Sequence, residues 1–236
     1  MEVAAVSDKG RVRPDNEDSL LVKPEQGLFI VCDGMGGHNA GEVASCLAVQ
    51  CIESSLKGPK KKVTAHDLNE AILKANELVW QQGQDNPEWR EMGTTVTAAV
   101  ISKNRLLVAN VGDSCLYLMR EGTINKITRD HTLAQEMVKD GLIRPDEVKQ
   151  SGYNHILTRA LGVHPGLDID IFEESPRSGD TILMCSDGLS DMLSDDEILD
   201  VLLEHENNLD DAAAALLEKA LSAGGYDNIS LILLKV

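Results

Sequence analysis

Four aspartates border apolar runs whose composition is typical of β-strands. Three follow such a run and the fourth precedes one: Asp33, Asp113, Asp187 and Asp227. A glycine lies within two positions of each of them. A strand fixes the backbone that carries a carboxylate, and a small neighbour lets a ligand approach it closely. The pattern therefore predicts carboxylates positioned for a ligand at the ends of strands.

Metal binding is the chemistry that several such carboxylates favour. Carboxylates that converge on one sheet edge repel one another unless cations lie between them. Oxygen ligands prefer Mg(II) or Mn(II), whereas zinc sites favour histidine and cysteine. A single Asp-Gly pair is more often a turn, but four strand-adjacent aspartates in one chain favour a metal site.

A second charged stretch, SDKGRVRPDNEDSL, lies upstream, and its last charged residues stand just before a predicted strand. Arg13 offers a planar guanidinium that can bind a phosphate through two hydrogen bonds. Glu17 and Asp18 form an acidic pair that could hold metal-bound waters. Loops are rich in charge, so this stretch alone is weak support for a site.

The elements that must position these residues are short strands and amphipathic helices. Apolar and β-branched runs predict eight strands, over residues 3–6, 19–22, 28–32, 94–101, 106–111, 116–119, 181–185 and 229–236. Residues 120–124 (REGTI) are typical of a hairpin turn. Helical periodicity predicts two helices, over residues 43–56 and 67–82.

Two further helices are predicted from their ends. Ser194 with Glu197 three residues later forms a capping box for a helix that runs to about Glu206. Asp210 can cap the next helix, which a pair of glycines at 224 and 225 can end. Helices grouped in pairs, rather than alternating with strands, predict an α+β layered fold and not a doubly wound sheet. We expect a single domain over residues 1–236, because no linker or repeat interrupts the chain.

Residues 131–162 do not fit this pattern of strands and paired helices. The segment is polar and carries Gly141, Pro145 and Gly152 between two strongly apolar runs. Such an insertion is either a surface loop or a lid over a site. We refer to it as the lid segment.

The overall charge and the cysteines limit the kind of protein. A formal net charge of −17 argues against binding to nucleic acid or to an anionic membrane. The basic cluster KGPKKK at residues 57–62 contains glycine and proline, and we interpret it as a solvated loop. The chain shows no signal peptide and no run of transmembrane length. Its five cysteines lack CxxC spacing, as is typical of reduced thiols in a cytoplasmic protein.

The motifs, taken together and in order, resemble those of a known family. They are GRVRPDNEDS, VCDGMGGH, MGTTV, VANVGDS, DHTLAQEMVKDGLI, ILTRALG, CSDGLSD and GGYDNIS. Their order and spacing are similar to those of bacterial PPM-family (protein phosphatase type 2C) serine/threonine phosphatases. The resemblance runs from about Ser7 to the C-terminus and is greatest to compact single-domain enzymes that oppose protein kinases.

This resemblance implies a four-layer α-β-β-α sandwich, with two central antiparallel sheets flanked by helix pairs. It also implies a centre of two Mn(II) or Mg(II) ions bridged by Asp33. The Gly34 carbonyl would bind one ion, Asp187 and Asp227 the other, and Glu17 and Asp18 would act through bound water. Asp113 and Asp187 would hold a third, weaker ion, and Arg13 would grip the phosphate. A water bridging the two metals would then attack the phosphorus of phosphoserine or phosphothreonine.

Two positions depart from the family pattern. Many eukaryotic members have a histidine, thought to be the general acid, where this chain has Met35; its next histidine is His38. Bacterial members often have arginine after the GDS motif, where this chain has Cys115, so a supporting salt bridge near Asp113 would be lost.

The expected protein is a monomer that acts on phosphorylated proteins, with a serine/threonine kinase among them. An alternative is a catalytically weak phosphatase-like module that only binds phosphoproteins or kinases. Such modules usually lose a metal aspartate, and this chain keeps all of them. A second alternative keeps the metals but hydrolyses another phosphoester, and phosphodiester turnover would distinguish it.

Overall fold

Two antiparallel β-sheets pack face to face in the structure, a computed structural model that describes residues 1–36, 40–57 and 62–236. The first sheet has the strand order β1 (Glu2–Asp8), β11 (Ile229–Lys235), β10 (Thr181–Cys185), β7 (Cys115–Arg120) and β8 (Thr123–Lys126). The second has the order β2 (Asp18–Lys23), β3 (Leu28–Met35), β5 (Val96–Ser102), β6 (Arg105–Val111) and β9 (Asp170–Glu174), and β4 (Gly93–Thr94) pairs with the end of β3.

Helix pairs cover the outer faces of both sheets. The helices α1 (Ala40–Leu56) and α2 (Ala65–Asp85) share a hydrophobic core with the second sheet. The helices α5 (Asp195–Glu204) and α6 (Leu209–Ser222) share another with the first sheet. A third core lies between the two sheets. These layers confirm the predicted four-layer α-β-β-α sandwich.

Alternation along β3 shows how one strand serves two cores. Leu28, Ile30 and Cys32 belong to the core beneath α1 and α2. Phe29 and Val31 belong to the core between the sheets. Successive side chains of a strand point to opposite faces, so a continuous apolar run is what a strand buried on both faces requires.

Local sequence motifs correctly predicted the ends of several helices and strands. The capping box of Ser194 and Glu197 starts α5. The hairpin between β7 and β8 turns at Glu121 and Gly122, which both have positive φ, as a two-residue type I′ loop demands. The Gly225 N–H donates to the Ala220 carbonyl and ends α6.

Other ends differ from the sequence prediction. Asn208, and not Asp210, caps α6, because its side chain accepts from the N–H groups of Asp210 and Asp211. The predicted strand over residues 94–101 is divided into β4 and β5, and β9 was not predicted. Two short helices, α3 (Leu133–Lys139) and α4 (Asp187–Ser190), were also missed. Among the described residues, no helix has both the length and the apolar content to cross a membrane.

Candidate metal centre

The sequence predicted that Asp33 follows the end of its strand, but Asp33 lies inside β3. The strand continues to Met35 because Gly34 and Met35 pair with β4. Asp18 is the direct register partner of Asp33 across β2 and β3. Residues that are direct partners on antiparallel strands project to the same face of the sheet. The two carboxylates therefore lie side by side on one face.

Burial and mutual charge raise the pKa of both carboxyl groups. For Asp33, burial is the largest cause, followed by the charges of Asp18, Asp187 and Asp113, and its pKa lies well above the usual range. For Asp18, burial outweighs hydrogen bonds from Ser230 and Ser186 and raises the pKa to about 7. Carboxyl groups in this state favour a nearby cation.

Asp187 follows β10 and is the first residue of α4, so a helix start as well as a strand end positions it. Burial, followed by the charges of Asp191 and Asp227, raises its pKa to about 6. Its Oδ1 and the Oδ1 of Asp18 are buried without a hydrogen-bond partner in the part of the chain that the structure describes. Unpartnered buried carboxylate oxygens are the donors that a hard cation needs.

Asp113 is buried at 8% exposure and follows a glycine turn after β6. Gly112 has a φ of +99°, and a Cβ there would lie 2.6 Å from the Thr95 side chain, so only glycine fits. Burial, then the charges of Asp187 and Asp130, raises the Asp113 pKa well above its usual range. Asp113 thus shares the electrostatic environment of Asp187.

Arg13 binds Asp227 directly, with 2.6 Å between its Nη2 and the Asp227 Oδ2. The Arg13 side chain is 50% exposed, and this hydrogen bond is the main cause that raises its pKa. The neighbouring Asn228 donates from its backbone to Asp227 Oδ1. Its side chain also accepts from the Glu17 backbone N–H and donates to the Asp15 carbonyl. Asn228 therefore fastens the upstream charged stretch to the start of β11.

Glycines allow Glu17 to approach the same region. A Cβ on Gly34 would lie 2.1 Å from the Gly41 carbonyl oxygen and 2.5 Å from that of Glu17. A Cβ on Gly41 would lie 2.7 Å from Glu17 Oε1. Burial raises the Glu17 pKa, and a hydrogen bond from the Gly41 backbone opposes the rise. Gly34 thus makes room for the Glu17 backbone, and Gly41 for the Glu17 side chain.

One cleft of about 950 Å³ contains most of these groups. Seven of the eight predicted site residues line it: Arg13, Glu17, Asp33, Gly34, Asp113, Asp187 and Asp227. Asp18 does not line the cleft but lies beside Asp33. The lid segment supplies one wall through residues that include Glu136, His155, Leu157 and Arg159.

Sequence reasoning missed Asp191, and it did not place His155 beside the aspartates that it predicted to bind metal. His155 Nδ1 lies 3.0 Å from Asp191 Oδ2, and single ligand atoms of His155, Asp187 and Asp191 lie within 4.8 Å of one another. Asp191 stands one helical turn after Asp187, a spacing that could have signalled a shared face. His38 lies outside the described residues.

A buried histidine links the lid segment to the Asp113 turn. His131 Nδ1 accepts from the Gly112 N–H at 3.1 Å, and its Nε2 lies 3.3 Å from Asp170 Oδ2. Arg159 donates to Asp170 at 2.9 Å. Burial lowers the His131 pKa, although Asp170 opposes the shift. No sequence signal predicts this network, because its members come from the Asp113 turn, the lid segment and β9.

The structure also shows where the two positions that depart from the family pattern lie. Met35 lines the cleft and pairs with Gly93. Cys115 lies in the core beneath α5 and α6, with its Sγ 3.6 Å from that of Cys185. A thioether cannot donate a proton, so Met35 is no general acid.

Comparison with known proteins agrees with this geometry. The chain matches the family model described as "Protein phosphatase 2C" over residues 10–222. It is 36% identical to the serine/threonine phosphatase stp of Listeria welshimeri, over 97% of this chain and 93% of that protein. The crystal structure of Mycobacterium tuberculosis PstP/Ppp superposes with a TM-score of 0.93 at 36% identity, covering 100% of this chain and 98% of that one.

A second PstP structure bears on the metals. The PstP catalytic domain in complex with two manganese ions has 37% identity and a TM-score of 0.89, covering 98% of this chain and 96% of that one. Family model, relatives and fold agree over nearly the whole length of the chain. The chain therefore belongs to the protein phosphatase 2C family.

Proposed function

We propose that this chain is a metal-dependent protein phosphatase that hydrolyses phosphoserine and phosphothreonine in proteins. The observation that carries the proposal is the convergence of Asp33, Asp113, Asp187 and Asp227 on one cleft that Arg13 also lines. The dianion of a phosphate monoester repels nucleophiles and its alkoxide is a poor leaving group, so a catalyst must neutralise charge and activate water.

The donor set fits divalent ions. The carboxyl groups have raised pKa values because they are buried together, and two of their oxygens have no partner among the described residues. In our proposal Asp33 would hold two Mn(II) or Mg(II) ions together with the Gly34 carbonyl, Asp187 and Asp227, and Glu17 and Asp18 would act through water. Asp113 and Asp187 would hold a third ion. When bound, such ions would lower the pKa of water and neutralise the charge of the phosphoryl oxygens.

Arg13 is proposed to bind the phosphate. It is held near the carboxylates by its ion pair with Asp227, and half of its side chain is exposed to the cleft. If Asp227 serves as a metal ligand, the guanidinium is released to bind two phosphoryl oxygens in its planar geometry.

Protonation of the departing serine or threonine oxygen needs a donor other than Met35. Asp113 is proposed to hold the water that supplies this proton, because it lies in the field of Asp187 at the edge of the cleft. Of the two described histidines that line the cleft, His155 and His164, His155 lies beside Asp187 and Asp191 and competes for this role.

The wider context of the protein is also a proposal. We infer one domain over residues 1–236, in which residues 131–162 act as a lid that contributes to substrate choice. Its substrates would be phosphoproteins and would include a serine/threonine kinase whose action it opposes. We further infer a cytoplasmic monomer that binds neither nucleic acid nor membrane, in agreement with its charge of −17.

One experiment separates this proposal from its alternatives. Turnover of a phosphothreonine peptide should vanish in excess chelator and return with Mn(II) or Mg(II), whereas Zn(II) should serve poorly. A phosphodiester should be a far poorer substrate. Binding of the phosphopeptide without turnover at any metal concentration would favour the inactive module. Full activity in chelator, with no metal retained by the protein, would contradict the metal centre.

A further inference from the structure

Two exposed apolar side chains stand inside the cleft that holds the aspartates. Eight large hydrophobic side chains are exposed among the described residues, and of these only Val163 and Tyr226 line the cleft. They are 39% and 63% exposed. Apolar surface in a binding cleft gains free energy when a ligand removes it from water.

Glycines leave the space that these side chains occupy. A Cβ on Gly224 would lie 2.5 Å from the ring of Tyr226, so the ring rests against bare backbone. A Cβ on Gly93 would lie 2.6 Å from Met35 Cε and 3.0 Å from Val163 Cγ2, so these two side chains meet over Gly93. Surfaces that are ordered before binding lose less entropy when a ligand arrives.

The cleft is also larger than a phosphoryl group requires. Its volume of about 950 Å³ is near the upper end of the range for sites that hold drug-sized molecules. Glu136 and Asp168 line it as well, and they repel an acidic segment. The cleft therefore has room for residues beside a phosphorylated side chain, and its walls disfavour acidic ones.

We propose that Tyr226 and the Met35–Val163 pair form a specificity surface for apolar side chains that flank the phosphorylated residue of a polypeptide substrate. The inference rests on the proposed function, because a phosphate bound at Arg13 would anchor the polypeptide across this surface. It names the substrate class more closely: phosphopeptides with aliphatic neighbours, in preference to small or acidic ones.

The test uses three phosphothreonine peptides that differ only in the two residues beside the phosphothreonine, which are leucine, alanine or glutamate. With Mn(II) present, the wild-type kcat/KM should be about tenfold higher for the leucine peptide than for the alanine peptide. This ratio corresponds to a free-energy difference of about 1.4 kcal/mol. The glutamate peptide should be the poorest of the three. Equal kcat/KM for the leucine and alanine peptides would overturn the inference.

Variants assign the preference to the surface. Tyr226→Ala and Val163→Ala should each shrink the ratio of leucine to alanine kcat/KM, mainly through KM, and Tyr226→Phe should keep it because the ring face remains. The matched control is Leu203→Ala, which removes an exposed leucine of α5 that does not line the cleft. Its ratio should equal that of the wild type. An unchanged ratio in both Tyr226→Ala and Val163→Ala would overturn the assignment.

An aryl phosphate separates this inference from the proposed function. If wild-type protein shows no Mn(II)-dependent turnover of p-nitrophenyl phosphate or of any peptide, the proposed function fails and the inference falls with it. If that turnover is present but the three peptides react alike, only the specificity surface fails.

Discussion

Asp18 and Asp33 are direct partners in the antiparallel register of β2 and β3, so a second buried carboxylate lies beside the one that lines the cleft. The folded pKa of Asp18 is about 7, against an ordinary value of 3.8. A carboxyl group with a raised folded pKa contributes stability that is complete below the unfolded pKa. That stability is lost as pH rises through the folded pKa. Without metal, the fold should therefore weaken between about pH 4 and pH 7.

The first prediction concerns Asp33→Asn in chelator. Removal of one charge from the cluster should stabilise the metal-free protein by about 1–2 kcal/mol at pH 8, and by less at pH 5, where the carboxyl groups are largely protonated. The same variant should lose nearly all turnover with Mn(II), as should Asp187→Asn. Thermal unfolding across this pH range measures the effect.

Asp85→Asn is the control for this prediction, because Asp85 is an exposed aspartate at the end of α2. Its stability should follow that of the wild type at both pH values. Two results would contradict the assigned centre. One is a wild-type protein whose stability in chelator does not fall as pH rises, and the other is wild-type turnover in Asp33→Asn.

The second prediction concerns Arg13→Ala. A hydrogen bond to a charged group contributes about 1.5–3 kcal/mol, so the KM for a phosphopeptide and the inhibition constant of free phosphate should rise tenfold or more. Mn(II) affinity should change less, because the guanidinium is proposed to contact substrate oxygens. Steady-state kinetics and metal titration provide the two readouts.

Arg11→Ala is the matched control, since Arg11 lies two positions away and does not line the cleft. It should leave both constants near wild-type values. If Arg13→Ala and Arg11→Ala behave alike, Arg13 has no place in phosphate binding.

The third prediction concerns the proton donor. An aryl phosphate has a good leaving group and needs little protonation, whereas a phosphoserine peptide needs it strongly. Asp113→Ala should therefore lower kcat for the peptide far more than kcat for the aryl phosphate at saturating Mn(II). His155→Ala and His38→Ala should not show this selectivity. Equal slowing of both substrates in Asp113→Ala, or selective loss of the peptide in either histidine variant, would reassign the donor.

The fourth prediction concerns His131, whose pKa burial lowers from 6.5. A group with a depressed folded pKa contributes stability that is present above the unfolded pKa and lost as pH falls through the folded pKa. The contribution of His131 to stability should therefore be lost below about pH 6.5, so the stability of His131→Gln relative to the wild type, under the same metal condition, should rise as pH falls. Unfolding by denaturant from pH 7.5 to pH 5 measures the slope.

His66→Gln serves as the control, because His66 is exposed near the start of α2. It should leave the slope unchanged. A slope that is the same in the wild type and in His131→Gln would show that the buried histidine does not titrate with unfolding.

Local chemistry accounts for the features that could be predicted from the sequence. The aspartates beside apolar runs, the capping box at Ser194 and the turn at Gly122 each depend on residues close together in the chain. The ordered motifs identified the family, and with it the four-layer sandwich. Asn208 was missed as the cap of α6 because Asp210 has the same capping chemistry, and only the backbone shows which one lies at the helix start.

Tertiary structure alone decided how these groups meet. The pairing of Asp18 with Asp33 depends on strand register, the ion pair of Arg13 with Asp227 joins the two ends of the chain, and Tyr226 is exposed in the cleft because Gly224 leaves space for its ring. The strand pairing and the ion pair have no local signal, since each is set by which distant segments pack together. The raised pKa values follow from the same cause: carboxylates that are far apart in sequence become buried neighbours only when the two sheets close.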